Sequence, residues 1–471
     1  MASGDKKTEL QKLQDRILLK NDSVYKEFHK TIKDQLGGFS DDYIAFLNRA
    51  KTERECAAAA IGMLEEEGFQ PFDAAKNYKA GERVYYNNRG RALIAAVIGE
   101  LPLDEGFNLC AAHIDSPRLD LKQNPVYEDY ELAFLKTHYY GGIKKYQWVT
   151  IPLSIHGVVV KKDGQTVEIV VGEQENDPVF CINDLLPHLS RKTQDTRAAK
   201  DTIKGEELNV LIGSEPVQDS EIKKKVKLNI LKILHERYGI TEMDLLSADL
   251  AVVPAFKARY VGFDSSMIGG YGQDDRVCAY TILRALLEQK SPQRTALCVL
   301  ADKEETGSEG NTGLCSDMLL HFVTQLSRCQ RAELETTLLN SRALSADVNA
   351  AMDPTFPEVM EKSNACYLAH GLVVTKFTGS GGKSGTSEAS AEYMAFVRRI
   401  LDSAGVPWQV GELGKVDEGG GGTVAKYLAS MGMEVVDAGV ALLSMHSPFE
   451  IAHTADIMAA YKGFGAFYSS I

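Results

Sequence analysis

The sequence predicts an α/β protein: a doubly wound, mostly parallel sheet with helices on both faces, interrupted by a second, β-rich unit. Three observations predict it. Short apolar runs alternate with amphipathic stretches up to about residue 118 and again from about residue 248, the strand–helix–strand repetition of a parallel sheet. Between them, over 119–247, the alternation gives way to β-like runs. Acids and histidines gather just beyond the apolar runs, where an open α/β sheet collects its ligands.

The elements follow in chain order. The first 36 or so residues are charged and helical in pattern, ending at Gly37-Gly38. Ser40 reads as the N-cap of a helix through Leu64, with Gly68 as its stop signal. Stretches 91–98 (RALIAAVI) and 107–112 (FNLCAA) read as strands of one sheet, the second running into His113-Ile114-Asp115-Ser116-Pro117. In the inserted segment, strands 155–160 and 167–171 flank KKDGQT, and Asp163-Gly164 signals a hairpin. A polar, lysine-rich stretch and a helix at 226–238 follow. The hydrophobic strands of this segment make it a candidate oligomer surface. Alternation resumes at Leu250, with a helix at 276–289, a strand at 296–301 and a helix at 312–326. Strands at 342–347 and 372–377, helices at 387–401 and 423–430, a strand at 433–443 and a helix at 456–467 complete the chain.

Composition narrows the function classes. A length of 471 residues suggests two or three units, and 44% hydrophobic with 25% charged residues is ordinary for globular proteins. A formal net charge of −13 argues against a nucleic-acid binder. The N-terminal MASGDKKTELQKLQDRILLK has no apolar core of a secretory signal, and no run approaches the roughly 18 apolar residues of a membrane span. Eight scattered cysteines without a CxxC pair read as reduced core residues of a cytoplasmic protein.

The stretch TALCVLADKEETGSEG (295–310) carries the strongest chemical signal. Glu304 and Glu305 stand where a buried strand should end, and neighbours on extended chain point in opposite directions. One can hold a metal while the other faces a reacting water. His113, Asp274, Asp347 and His446 lie at other predicted strand ends. Two imidazoles and three carboxylates without a thiolate suit Zn²⁺, Mn²⁺ or Co²⁺ in an open site. Five ligands also match two ions sharing one bridging carboxylate. Asp115, two residues beyond His113, is placed to hold its imidazole tautomer, and Glu304 to accept a proton from the water. The other eight histidines read as structural.

Taken in order, His113-Ile-Asp115-Ser-Pro, Gln273-Asp274-Asp275-Arg276, Asp302-Lys-Glu304-Glu305-x-Gly307-Ser-Glu, Ser345-Ala-Asp347 and Ser444-Met-His446-Ser resemble the site of the aspartyl aminopeptidase family, a branch of the co-catalytic zinc aminopeptidases. The resemblance covers nearly the whole chain, includes Tyr140-Gly141-Gly142, and is nearest to bacterial members. It implies that His113, Asp274 and Asp347 bind one zinc and that bridging Asp274, Glu305 and His446 bind the other. It also implies that Glu304 is the general base and Asp115 the acid that orients His113. Asp274 is preferred to Asp275 because related enzymes use the first carboxylate of the pair. The implied architecture is a catalytic domain (1–118 and 248–471) interrupted by a dimerisation domain (119–247), in an assembly of twelve subunits. The implied activity is hydrolytic removal of an N-terminal residue from peptides.

Two features bear on specificity. Strand 372–377 followed by TGSGGKSGTSEAS has the look of a phosphate-binding loop, but Phe377 occupies the position where that loop needs glycine. Lys376 or Lys383 facing a substrate carboxylate is the better reading, and Lys376 matches the family's lysine in this strand. Against acidic specificity, Asp184 stands where acid-preferring members carry a histidine. Acidic (Asp/Glu) preference is therefore the expectation, with broad or leucine-like preference as its rival. A self-assembling shell with a vestigial site is a third reading, opposed by the full ligand set and Glu304.

Overall fold

Nine strands form the principal sheet of the computed structural model, which describes residues 7–19 and 21–471. The start of the charged N-terminal stretch, residues 1–6, and Lys20 lie outside the described residues. From edge to edge the strands are Gln70–Pro71, Arg83–Asn88, Ala92–Val97, Thr295–Ala301, Phe107–His113, Arg342–Ser345, Glu434–Gly439, Leu372–Thr375 and Trp408–Val410. The four from Thr295–Ala301 to Glu434–Gly439 are mutually parallel, so their carboxyl ends lie at one end of the sheet. Two of them, Phe107–His113 and Thr295–Ala301, are buried along their whole length. Strands covered on both faces read as continuous apolar runs, and that made them visible in the sequence.

Alternate side chains enter two cores. Cys110, Ala112, Cys298 and Leu300 pack with helices Phe28–Arg49, Gln273–Leu287 and Thr454–Tyr468. Leu109, Ala111, Leu297 and Val299 pack on the other side with helix Met318–Gln330. This is the doubly wound arrangement, with antiparallel pairs flanking the parallel centre.

A second, seven-stranded sheet is antiparallel throughout: Thr166–Val171, Leu153–Val160, Ala248–Pro254, Arg118–Asp129, Leu132–Tyr140, Asn209–Gly213 and Cys181–Ile182. Asp163-Gly164 lies in the turn between two of its paired strands. Ala248–Pro254 pairs inside this sheet, so the sheet runs past residue 247 and the α/β alternation does not resume at Leu250. A short apolar run identifies a buried strand but not its partners. A third sheet joins Arg259–Val261, Met267–Gly270, Glu450–His453, Ala441–Leu443 and Asn349–Ala350.

Two N-terminal expectations are corrected. Helix Phe28–Arg49 runs straight through Gly37-Gly38, and Ser40 is buried in its interior rather than capping it. Each glycine costs about 1 kcal/mol in a helix interior, and burial of Phe39, Tyr43 and Phe46 outweighs that. The break falls at Ala50, and Thr52 forms a capping box with Glu55 to start helix Glu53–Glu66. The helix expected from 312 starts at Met318. All eight cysteines are free, and Cys315 is exposed rather than buried. Among the described residues, no helix is long and apolar enough to cross a membrane.

Candidate metal centre

The carboxyl ends of the parallel strands deliver His113, Glu304, Glu305 and Asp347 to one place. At Lys303 the chain turns into left-handed conformation, and Glu304–Thr306 forms a single 3-10 turn. The two glutamates thus sit in a turn rather than on extended chain. Their backbone N–H groups donate to the two oxygens of Asp115, at 3.1 Å from Glu304 and 3.2 Å from Glu305. Their side chains still diverge. Glu304 Oε2 stands 3.9 Å from His113 Nε2, and Glu305 Oε2 stands 3.7 Å from His446 Nε2.

Asp274 lies between the two imidazoles. Its Oδ1 is 3.1 Å from His113 Nε2 and its Oδ2 is 3.1 Å from His446 Nε2. Asp347 Oδ1 is 3.9 Å from His113 Nε2. The other nitrogen of each ring meets a main-chain carbonyl: His113 Nδ1 lies 3.0 Å from Asp115 O, and His446 Nδ1 lies 3.0 Å from Gly142 O. A carbonyl only accepts, so each Nδ1 carries a proton and Nε2 is the nitrogen left to face a metal. Asp115, the residue expected to orient His113, meets that ring with its carbonyl and brings its side chain close to the same nitrogen. Its Oδ1 is 3.4 Å from Nδ1, and its carboxylate mainly holds the glutamate turn and the Tyr140 hydroxyl.

The donor atoms fit a metal. Ligands of one tetrahedral zinc stand about 3.4 Å apart, given bonds of about 2.1 Å, and the contacts above straddle that spacing. His113, Asp274 and Glu305 form one potential metal-holding group, and His113, Asp275 and Asp347 form another. Glu305 Oε1 and Asp275 Oδ1 are buried without a hydrogen-bond partner. Electrostatics agree. Burial, then neighbouring carboxylates, push Glu305, Asp347 and Asp275 well above the usual carboxylate range, and Glu304 upward. Burial would raise Asp274 too, but bonds from His113 and His446 outweigh it and hold it low. Burial opposes the charge on His446, yet Asp274 and Glu305 lift it to about 10. A cluster this rich in acid is one that a cation would complete.

Some contributors carried no recognised signal. Glu450, fully buried, accepts from the backbone N–H of His446 at 2.7 Å and of Asp274 at 3.0 Å, tying two ligand-bearing segments together. Its place in Ser444-Met-His446-Ser-Pro-Phe-Glu450 was the available clue. Ser116 Oγ donates to Asp274 O at 2.7 Å. Asp275, passed over in favour of Asp274, faces His113 and Asp347.

The expected substrate residues stand outside this cluster. Lys376 and Lys383 both meet Glu388, at 3.6 and 2.9 Å. Thr375, just before Lys376, pairs with Asp437 and accepts from Asn349, two residues beyond Asp347. The strand that leads into the lysine loop therefore meets the segment just beyond Asp347, with Glu434–Gly439 between it and Arg342–Ser345. The loop's Gly379 N–H meets Gly421 O, which joins it to the second glycine-rich loop. Asp184 is exposed and accepts from Leu185 N–H and Gln194, without a contact to the centre within this chain.

Comparison with known proteins fits this arrangement. The family model described as "Aminopeptidase I zinc metalloprotease (M18)" matches residues 46–468. The "Probable M18 family aminopeptidase 1" of Clostridium acetobutylicum is 53% identical over 438 residues, covering 91% of this chain and 94% of that protein. The crystal structure of an M18-family aminopeptidase from Thermotoga maritima matches with a TM-score of 0.91 and 45% identity, covering 96% of this chain and all (100%) of that one. The S. cerevisiae mApe1 dodecamer shares the fold at a TM-score of 0.74 and 22% identity, covering 92% of this chain and 97% of its own.

Proposed function

We propose, from the premise that this chain belongs to the M18 family of zinc aminopeptidases, that it removes single N-terminal residues, acidic ones in preference, at a two-metal centre. The observation that carries the reading is Asp274 suspended between two imidazoles whose Nδ1 atoms are already committed. In this reading His113 and Asp347 hold one divalent ion, Glu305 and His446 the other, and Asp274 bridges. Zinc follows from the family description, and Mn²⁺ or Co²⁺ would also suit these donors. Bound there, such ions would supply Lewis acidity to polarise a scissile carbonyl and lower the pKa of a water.

The chain's own groups do the rest. Glu304, free of metal duty and with a raised pKa, takes the proton of the attacking water on a side-chain oxygen and returns it to the leaving nitrogen. Asp115 holds the Glu304–Glu305 turn by both N–H groups and so fixes where that proton is received. Lys376 and Lys383 with Glu388 leave one net positive charge on the loop after Thr375, which itself meets Asn349 just beyond Asp347, and that charge favours a substrate carboxylate. The same Glu388, and Asp184 if it reaches the pocket of a second copy, favour the rival reading of neutral or leucine-like preference.

A homo-oligomer, a dodecamer built from dimers with residues 119–247 as the dimerisation domain, is part of the proposal. Exposed Val160, Val170, Val179, Leu228 and Ile233 on that unit support it, as does the fold shared with a dodecameric protein. Eight free cysteines are in keeping with a cytoplasmic setting. The deciding experiment is a panel of aminoacyl chromogenic substrates, Asp and Glu beside Leu, Ala and Lys, run with Zn²⁺, Mn²⁺ and Co²⁺ in turn. Highest kcat/KM on Asp or Glu is expected. Highest kcat/KM on Leu installs the rival, and no turnover on any substrate rejects both.

A further inference from the structure

One strand end of the seven-stranded sheet reaches into the centre. Strand Leu132–Tyr140 finishes at Tyr140, which is buried and donates its hydroxyl to Asp115 Oδ2 at 2.7 Å. The ring is clamped from two sides, with the Arg118 guanidinium 4.2 Å and Lys303 Nζ 5.3 Å from its centroid. Gly141 follows at φ +74°, and a Cβ there would stand 3.2 Å from Glu305 Oε2 and 3.3 Å from Glu305 Cβ. Gly142 offers its carbonyl to His446 Nδ1 at 3.0 Å, and a Cβ on it would stand 3.3 Å from that same nitrogen. Three consecutive residues thus touch Asp115, Glu305 and His446.

We infer that Tyr140-Gly141-Gly142 is a positioning element through which the inserted unit sets the geometry of the metal ligands. Asp115 accepts from Glu304 N–H, Glu305 N–H and Tyr140 OH. The tyrosine bond is the one that comes from outside the nine-stranded sheet, and it fixes the rotation of the carboxylate on which the Glu304–Glu305 turn hangs. Gly141 leaves the room in which the Glu305 carboxylate turns toward His446, and its backbone conformation is one that an L side chain resists. Gly142 selects the His446 tautomer. None of the three touches substrate in this account; they act through residues that do. The inference rests on the metal-ligand reading above, and it adds that metal affinity is a property of both units together.

The test is zinc affinity in the full-length, assembled protein, measured by competition with a chromogenic chelator, alongside kcat, KM and the thermal midpoint of the metal-free form. Partners of this kind change metal affinity by about 10- to 100-fold. Tyr140→Phe, which keeps the ring and removes the hydroxyl, should weaken zinc binding by about tenfold and lower kcat. KM should stay within about twofold and the metal-free midpoint should hold. Gly141→Ala should weaken zinc binding further. Tyr130→Phe, at the exposed turn before the same strand, is the control and should match the parent. Unchanged zinc affinity in Tyr140→Phe overturns the inference. His446→Ala separates the two levels: if it also keeps full zinc affinity, the ligand assignment itself has failed. If it loses zinc while Tyr140→Phe does not, only the positioning role has failed.

Discussion

Replacing Glu173 with glutamine should loosen the seven-stranded sheet from the N-terminal helices, by an amount that depends on pH. Glu173 is nearly buried and receives three cationic groups. Lys51 Nζ lies 2.6 Å and His156 Nε2 3.1 Å from its Oε1, and Lys257 Nζ lies 2.7 Å from its Oε2. Lys51 comes from the break between the two N-terminal helices, whereas His156 and Glu173 belong to the seven-stranded sheet and the turn after it. The carboxylate therefore closes a charged junction between the seven-stranded sheet and the N-terminal helices. Burial raises its pKa, but His156, Lys51 and Lys257 outweigh that and bring it from the usual 4.5 to about 2.

A depressed carboxylate pKa gives stability that is fully present above the unfolded value and lost as pH falls through the folded one. The shift corresponds to about 3 kcal/mol at neutral pH, within the range for breaking a buried pair, and to about 2 kcal/mol near pH 3.5. His156 works in the opposite sense. Its raised pKa gives stability present below its ordinary value and lost as pH rises through the folded one. Urea unfolding of metal-free protein, followed by the fluorescence of buried Trp148 in the inserted unit, reads the difference between parent and Glu173→Gln. A gap of about 3 kcal/mol that narrows on acidification is expected. A gap that stays constant from about pH 7 to about pH 3.5, or one under about 0.5 kcal/mol throughout, would refute the reasoning.

Three further outcomes concern the centre. Glu304→Gln should lower kcat by about 10²- to 10⁴-fold while metal content, by atomic emission, stays at the parent level; parent-like turnover would remove Glu304 from the proton path. A strong chelator should abolish activity and added Zn²⁺, Mn²⁺ or Co²⁺ should restore it, whereas indifference to chelator would rule out metal-dependent hydrolysis. Glu388→Gln should raise the ratio of kcat/KM for Asp over Leu substrates and Lys376→Met should lower it, each by about tenfold if a charge-assisted bond is gained or lost. A ratio unmoved by both places acid recognition elsewhere.

What the sequence made legible follows from what leaves a local trace. Thr295–Ala301 and Phe107–His113 are buried on both faces, so they stand out as continuous apolar runs and point to the acids and the histidine at their ends. His446 follows a short strand of a different sheet, yet the apolar run before it was enough to make it a candidate. Ala248–Pro254 looks like any buried strand, and its membership of the inserted sheet depends on pairing with residues more than a hundred positions earlier in part. The helix through Gly37-Gly38 was hidden because tertiary burial overrode propensity. Glu450 carried no signal and Gly142 was matched without a role for a simpler reason: each acts on, or as, a main-chain group, and a peptide N–H or C=O has no letter in the sequence. Lys376 and Lys383 were legible as lysines, but their shared partner Glu388 emerges only once the loop closes on itself.

The use of peptide carbonyls on both imidazoles has a consequence for how this centre can change over evolutionary time. A side chain that orients a histidine can be lost by a single substitution, but Asp115 O and Gly142 O belong to whatever residue occupies the position. Drift at these two sites therefore acts on ring orientation by crowding the ring, as a Cβ at Gly142 would at 3.3 Å from His446 Nδ1, rather than by deleting an acceptor. The tautomers are inherited with the chain path. Redesign of the pocket for another substrate keeps both tautomers as long as the two carbonyls stay where the fold puts them.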